Sequence, residues 1–163
     1  MPKTYRSIAT TTVSGTSTTT ITFSSIPSTF TDLVLVAQYK AVGNNYLMCR
    51  FNGDTGSNYS RTELRGDGSS ATSQKLANEA YAYITSIYAP PGDLGTFILN
   101  LNDYADTTML KTVISRGNNT ATGTGLNVNL WRSTSAINTI LVTPIGSGFD
   151  VGSTFTLYGI KAA

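Results

Sequence analysis

The chain has 163 residues, a formal net charge of +2 and no histidine, and its 44 serines and threonines far outnumber its nine acidic side chains. This length fits one domain, and the missing histidine excludes Ser-His-Asp triads and His-ligated metal sites. A single cysteine excludes an internal disulfide framework. No run of Lys and Arg resembles a nucleic-acid footprint, and no apolar run is long enough for a membrane-spanning helix.

Charged residues make up 12% of the chain, about half the usual quarter. The surface therefore depends on hydroxyls and amides, which favours close packing against neighbours in an assembly. The abundance of Thr, Val, Ile, Tyr and Phe in short alternating stretches predicts an almost entirely β structure.

The first half of the chain predicts short strands separated by turns. Residues 1–20 are polar and Thr-rich, and they form either a first strand or an arm laid against a neighbour. Residues 21–24 alternate as a half-buried strand that proline ends, and residues 32–40 are the most apolar strand. The pattern then gives strands over 46–51 and 59–64, hairpin-type turns over 43–45 and 52–56, a polar loop over 66–73, and a short helix-compatible segment over 74–80 (QKLANEA).

The second half continues the same pattern. Strands are predicted over 81–87, 97–101, 110–115, 126–131, 137–143 and 155–161. About ten strands without helical crossovers indicate an antiparallel two-sheet sandwich of jelly-roll type. We expect an all-β fold with residues 1–20 as an extended N-terminal arm or first strand, and a single domain over 21–163.

Few residues could carry catalysis or bind a metal. The carboxylate pairs Asp103 with Asp106 and Glu63 with Asp67 are the nearest match to a glycosidase pair, but most acidic residues lie beside Gly, Asn or Ser, where turn chemistry explains them. Two loops offer oxygen ligands for calcium, but neither matches an EF-hand loop, and turn chemistry is favoured for both; these loops contain Asn52, Asp54 and Thr55, and Asn102, Asp103 and Asp106. We expect no enzyme activity, no metal and no cofactor.

Aromatic side chains are the best candidates for a binding surface, because a flat apolar body with a polar edge suits both sugar stacking and protein interfaces. Tyr81 and Tyr83 share one strand face, and Tyr46 and Tyr59 lie next to turns. Packing in the core or on a sheet face is the alternative for each of them.

Several motifs together resemble one family. They are Arg50–Ser60 (RFNGDTGSNYS), Leu64–Ala71 (LRGDGSSA), Leu130–Ile137 (LWRSTSAI) and Phe155–Lys161 (FTLYGIK), and the opening Ile8-Ala9 and Phe23–Pro27 fit the same pattern. The chain resembles small virion proteins of tailed bacteriophages, particularly those that infect cyanobacteria and marine bacteria. The resemblance implies a β-sandwich and a homotrimer, and it carries no catalytic residues across.

Proteins of this family occur as capsid decoration (cement) proteins and as domains of tail fibres. A single module that begins at Met1 favours the head, so the resemblance implies a protein made in the host bacterial cytoplasm that binds the major capsid protein on the outer capsid surface. The expected contacts are Thr4, Tyr5, Arg6 and Ile8 in the arm and Arg65 and Asp67 in a loop. The alternative is a tail-fibre module that recognises a host surface glycan through Tyr46, Tyr59, Tyr81 and Tyr83.

Overall fold

The computed structural model describes residues 4–161, which form twelve strands and no helix that could cross a membrane. The strands in chain order are β1 (Tyr5–Thr12), β2 (Ile21–Phe23), β3 (Asp32–Lys40), β4 (Asn45–Phe51), β5 (Tyr59–Gly66), β6 (Ala71–Glu79), β7 (Ala82–Ala89), β8 (Leu94–Leu101), β9 (Lys111–Asn119), β10 (Gly123–Trp131), β11 (Ile140–Ile145) and β12 (Thr154–Ile160).

Two antiparallel sheets pack as a sandwich, which confirms the predicted fold class. The larger sheet has eight strands in the order β1-β12-β3-β8-β9-β10-β5-β6, and the smaller has four in the order β2-β11-β4-β7. The larger sheet is therefore wider than the smaller one, so some of its inward-facing residues have no strand opposite them.

An apolar core fills the space between β3, β8 and β12 of the larger sheet and β2, β4 and β11 of the smaller. Strict alternation places one face of each strand inside. The inward-facing side chains of the larger sheet include Leu33, Leu35, Tyr39, Phe97, Leu99, Phe155 and Leu157, all fully or almost fully buried. Cys49 of β4 lies in this core, and desolvation there raises the pKa of its thiol. It is a packing residue.

The Thr-rich N-terminal segment forms an edge strand of the larger sheet. Strand β1 pairs with β12, and Thr10 and Thr12 face Thr156 and Thr154 across the pair at hydroxyl distances of 3.1 and 3.3 Å. Val13 ends the segment as a buried anchor. Two alternatives were predicted for residues 1–20, a first strand or an arm, and residues 5–12 form a strand.

The prediction of a short helix-compatible segment over residues 74–80 is wrong. These residues belong to β6, which pairs with β5 from Gly66 opposite Ala71 to Ser60 opposite Ala77, and after a register shift at Asn78 again at Tyr59 opposite Glu79. The sequence QKLANEA favours a helix locally, but backbone hydrogen bonding to β5 overrides this weak preference. The loop predicted over 66–73 shortens to the turn between β5 and β6.

The turn between β4 and β5 is fixed by its own side chains. Asn52 and Gly53 have φ of 51° and 70°, the left-handed conformation expected of this turn. The Asn52 side chain also binds the backbone of Ala136, Asn138 and Thr139. Two of the motifs that carried the family resemblance therefore meet at this position.

Candidate functional site

A polar cluster lies inside the sandwich where β7 packs across β5, β9 and β10. On these three strands of the larger sheet, polar side chains point inward, against the usual rule that apolar residues fill the interior. Together with Ser86 of β7, the buried members are Arg61, Glu63, Ser115, Asn127 and Asn129.

Part of this cluster satisfies the free edge of β7, which is the last strand of the smaller sheet. The Asn129 side chain accepts a hydrogen bond from Tyr83 N at 3.0 Å and donates to Tyr83 O at 2.9 Å. Ser115 Oγ also donates to Tyr83 O, and Asn127 donates to Ile84 O. Because a buried unpaired backbone group is costly, these polar side chains have a structural reason to point inward.

Two glycines let β7 approach the larger sheet closely. A Cβ on Gly117 would lie 3.2 Å from Thr85 Cβ, and one on Gly125 would lie 3.1 Å from Ile87 Cγ1. Both distances are tighter than ordinary packing, so β9 and β10 need glycine at the crossing.

A buried ion pair is the other part of the cluster. Arg61 Nη1 lies 2.6 Å from Glu63 Oε2, and both side chains are more than nine-tenths buried. Ser86 Oγ donates to the same Glu63 oxygen at 2.6 Å. The Arg61 guanidinium also lies over the Tyr83 ring, 3.4 Å from its centre, while its Nε is buried without a hydrogen-bond partner. Burial raises the pKa of the Tyr83 hydroxyl.

The cluster opens to solvent through a groove beside β5 and β6, where the larger sheet extends past the smaller. We call it the overhang groove; it is lined by Tyr46, Arg61, Glu63, Arg65, Gln74 and Tyr83. A cavity of about 130 Å³ at the ion pair shares Tyr46, Arg65 and Ser86 with a cavity of about 240 Å³ toward the turn between β5 and β6.

The opposite face of the same strands carries exposed apolar side chains. We call this surface the outer patch: Leu64, Ile114, Leu126 and Val128, whose exposed fractions are 56%, 40%, 38% and 42%. Leu126 lies directly opposite Leu64, and Val128 opposite Ile114, across adjacent strands, so the four form one continuous surface. Arg116 lies opposite Leu126 on β9, and Lys75 lies beyond Thr62 on β6.

The predicted arm contacts lie at the β1 edge of the larger sheet. Tyr5 and Arg6 are exposed, and the Tyr5 ring meets Tyr158 edge-on at 6.3 Å. Thr4 O accepts a hydrogen bond from Lys161 N, while Ile8 is half-buried against the core. Thr4, Tyr5 and Arg6 are all exposed, and Ile8 is the least accessible of the four.

The predicted loop contacts lie near the other edge. Arg65 lines the overhang groove and its Nε donates to Thr72 Oγ1 at 2.9 Å. Asp67 accepts hydrogen bonds from the backbone of Ser69 and Ser70, which lower the pKa of its carboxyl. Strands β12, β3, β8, β9 and β10 lie between β1 and β5, so the two groups are roughly 30 Å apart along the sheet.

The four candidate tyrosines fall in different environments. Tyr46 and Tyr83 both line the overhang groove, and the Tyr81 ring packs 5.2 Å from that of Tyr83. The prediction that Tyr59 contacts a glycan is wrong. The Tyr59 side chain is fully buried, stacks on Trp131 and accepts a hydrogen bond from Phe51 N.

The acidic candidates mostly hold turns. Asp54 accepts hydrogen bonds from Trp131 Nε1 at 2.7 Å, Asn58 and Gly56 N; desolvation opposes their effect, but together they lower the pKa of its carboxyl. Asp106 binds the side chain and backbone of Thr108, which lower its pKa. Glu63 is paired with Arg61 rather than with Asp67. Among residues 4–161, no group of three or more His, Cys, Asp or Glu side chains is placed to hold a metal ion.

The outer patch and the Arg61 pair were missed at the sequence level. Alternation along β5 and β10 showed which residues share a face, but not which face is inside. The sequence does contain one signal: Asn127 and Asn129 share a face with Gly125, which suits a close backbone crossing, so the alternating Leu126 and Val128 must face outward.

Comparison with known proteins gives distant likenesses only. No protein-family model and no curated protein matches the sequence. Among solved structures, a tetrameric galectin from Cinachyrella sp. (ball sponge) has 8% identity and a TM-score of 0.37, over 86% of this chain and 99% of the galectin. The alginate lyase Aly36B in complex with alginate tetrasaccharide has 12% identity and a TM-score of 0.36, over 82% of this chain and 70% of the lyase. Both likenesses are too distant to carry a conclusion about function.

Proposed function

We propose that this protein is a structural component of a tailed-bacteriophage particle, a decoration protein that binds the outer surface of the capsid. The observation that carries the proposal is the outer patch, where four apolar side chains face solvent on strands whose inward faces are polar. A continuous exposed apolar surface of this kind marks a protein interaction site.

The chemistry of the patch defines its partner. Burying apolar surface contributes about 25 cal/mol per Å², and a stable interface covers roughly 800 Å² on each partner, more than four side chains supply. The contact therefore extends to the neighbouring Arg116 and Lys75, which are basic. In this proposal the capsid subunit offers an apolar surface with an acidic border.

A homotrimer completes the proposal. A closed ring with threefold symmetry joins two different surfaces of each copy, and the β1 edge with Tyr5 and Arg6 and the opposite, β6 edge of the larger sheet are two such surfaces. Pairing them also covers an exposed edge strand, which otherwise invites aggregation. The family resemblance of the motifs supports the same assembly.

The copy number of the chain in purified particles tests the proposal. Quantitative mass spectrometry against the major capsid protein should give between about one-third and one copy per capsid subunit, as expected for trimers on a symmetric lattice. A few to a few dozen copies per particle would contradict decoration and favour a tail appendage that binds a host surface glycan.

A further inference from the structure

We propose that the overhang groove is a binding site for a sugar that carries a carboxylate, such as a uronic acid residue of a bacterial surface polysaccharide. This site is separate from the capsid contact, because Arg61, Glu63 and Arg65 lie on the inner face of β5 while Leu64 of the outer patch lies on its outer face. The two proposals can therefore fail independently.

The overhang groove contains a buried ion pair, Arg61 with Glu63. Removing two charges from water is expensive, and a well-packed apolar pair is often at least as stable. The ion pair is not needed to satisfy β7, whose backbone is bound by Ser115, Asn127 and Asn129. Polar and charged groups that converge on a cleft are candidates for a binding function.

The charges in the overhang groove favour an anionic ligand. Glu63 is neutralised by Arg61 at 2.6 Å and accepts a hydrogen bond from Ser86. Arg65 is then the remaining cation, exposed and held by its Nε to Thr72 Oγ1, so its terminal nitrogens point to no described partner within residues 4–161. A guanidinium in this state matches a carboxylate, which it can bind through two parallel hydrogen bonds.

The side chains that form the walls of the overhang groove suit a sugar ring. Tyr46 is partly exposed and packs against Tyr88 at a ring distance of 6.3 Å, so a flat apolar surface stands beside the cation. Gln74 lies opposite Glu63 on β6 and supplies an amide that can both donate and accept hydrogen bonds. An aromatic face together with an amide and hydroxyls suits a sugar ring better than a simple anion.

The size of the groove sets the extent of the ligand. The larger cavity of about 240 Å³ equals roughly eight water molecules at about 30 Å³ each, which admits one pyranose ring. Its lining holds one cation, Arg65, and one carboxylate, Asp67, so a polyanion such as nucleic acid would find no continuous basic path. Asp67 at the far end is engaged by the backbone of Ser69 and Ser70.

Titration of the full-length protein with trigalacturonate, followed by NMR chemical shifts, tests this site. The expected result is saturable shifts at Tyr46, Arg65 and Gln74, with the fully methyl-esterified trisaccharide binding at least tenfold more weakly. Equal binding of the ester, or no shifts at these residues at 20 mM ligand (about twentyfold above a Kd of 1 mM), would overturn the proposal.

Matched variants identify the residues. Arg65→Gln should weaken trigalacturonate binding at least tenfold, and Tyr46→Ala should weaken it severalfold, without loss of the folded NMR spectrum. Lys40→Gln removes an exposed cation on β3, outside the residues that line the groove, and should leave binding unchanged. An equal loss in Lys40→Gln and Arg65→Gln would assign the effect to net charge and overturn the site.

Discussion

The two ends of the larger sheet obey opposite rules. Around β3, β8 and β12, apolar side chains point inward and form the core. Around β5 and β10, Arg61, Glu63, Asn127 and Asn129 point inward while Leu64, Leu126 and Val128 point to solvent. The first arrangement stabilises the fold by burial, whereas the second places apolar surface where only a partner can cover it.

In our proposal, this contrast separates stability from recognition within one sheet. The apolar core stabilises the fold through the burial of its side chains. The polar cluster satisfies the backbone of β7 and holds an ion pair, neither of which requires the apolar side chains on the other side of the same strands. Substitutions in both regions test whether they differ in this way.

The same truncation should have very different effects in the two regions. Leu99→Ala in the core should lower the free energy of unfolding by about 2–5 kcal/mol, because it leaves a cavity in a region that cannot collapse. Leu126→Ala on the outer patch should change it by less than about 0.5 kcal/mol. Urea unfolding of both variants measures the difference, and equal losses would mean that the patch is part of the stabilising core.

Breaking the buried ion pair should destabilise the protein, but replacing it should not. Glu63→Gln should lower the free energy of unfolding by about 3 kcal/mol, because Arg61 keeps a buried charge without its counter-ion. The double variant Arg61→Met with Glu63→Leu should return to within about 1 kcal/mol of the wild type. Additive losses in the double variant would show that the pair itself stabilises the fold.

The β7 crossing should be intolerant of a single methyl group. Gly117→Ala places a Cβ 3.1 Å from Thr96 O and 3.2 Å from Thr85 Cβ, so it should cost about 1–3 kcal/mol through overpacking. Thr112→Ala lies on the outer face of the same strand and should have little effect. Thermal unfolding of the pair checks this, and a neutral Gly117→Ala would mean that β7 can shift away from the sheet.

The Asp54 turn should make part of the stability acid-sensitive. Its pKa is lowered in the folded state, so its contribution is present above the unfolded value of about 3.9 and is lost as the pH falls through the lower folded value. Asp54→Asn should cost about 1 kcal/mol at pH 7 and reduce the loss of stability as the pH falls below about 3.9.

Trp131→Phe provides the matched test of this mechanism, because it removes the indole donor to Asp54 and keeps a ring against Tyr59 and Phe51. It should reproduce part of the change in acid sensitivity. An unaltered pH profile in both variants would assign the acid sensitivity to Asp67 and Asp106, whose pKa values are also lowered.

Strand positions could be predicted from the sequence where alternation and turn signals agreed. The strands over 32–40, 59–64 and 155–161 and the Asn52-Gly53 turn follow from local patterns. The strand β6 could not be predicted, because QKLANEA has no β-branched residue and becomes a strand only by pairing with β5. Local preference was overridden by a tertiary contact.

The candidate site was only partly predictable for a similar reason. Tyr46 and Tyr83 were identified as glycan candidates from residue type, and Arg65 was predicted as a loop contact of the capsid protein; the fold brings the three to one groove. Their meeting depends on β7 crossing β5 and on the larger sheet extending past the smaller one, and neither is encoded in local spacing. The same crossing reverses which face of β10 is inside.

The most direct test of the account is the incorporation of an outer-patch variant into particles. Val128→Glu puts a charge in the centre of the patch, and Val151→Glu puts one at a site of matched exposure outside it, at 42% and 44%. Quantitative mass spectrometry of particles assembled with each chain should show a loss of at least tenfold for Val128→Glu, equivalent to about 1.4 kcal/mol or more of binding free energy, and wild-type occupancy for Val151→Glu. Equal occupancy of the two variants would contradict docking through the outer patch.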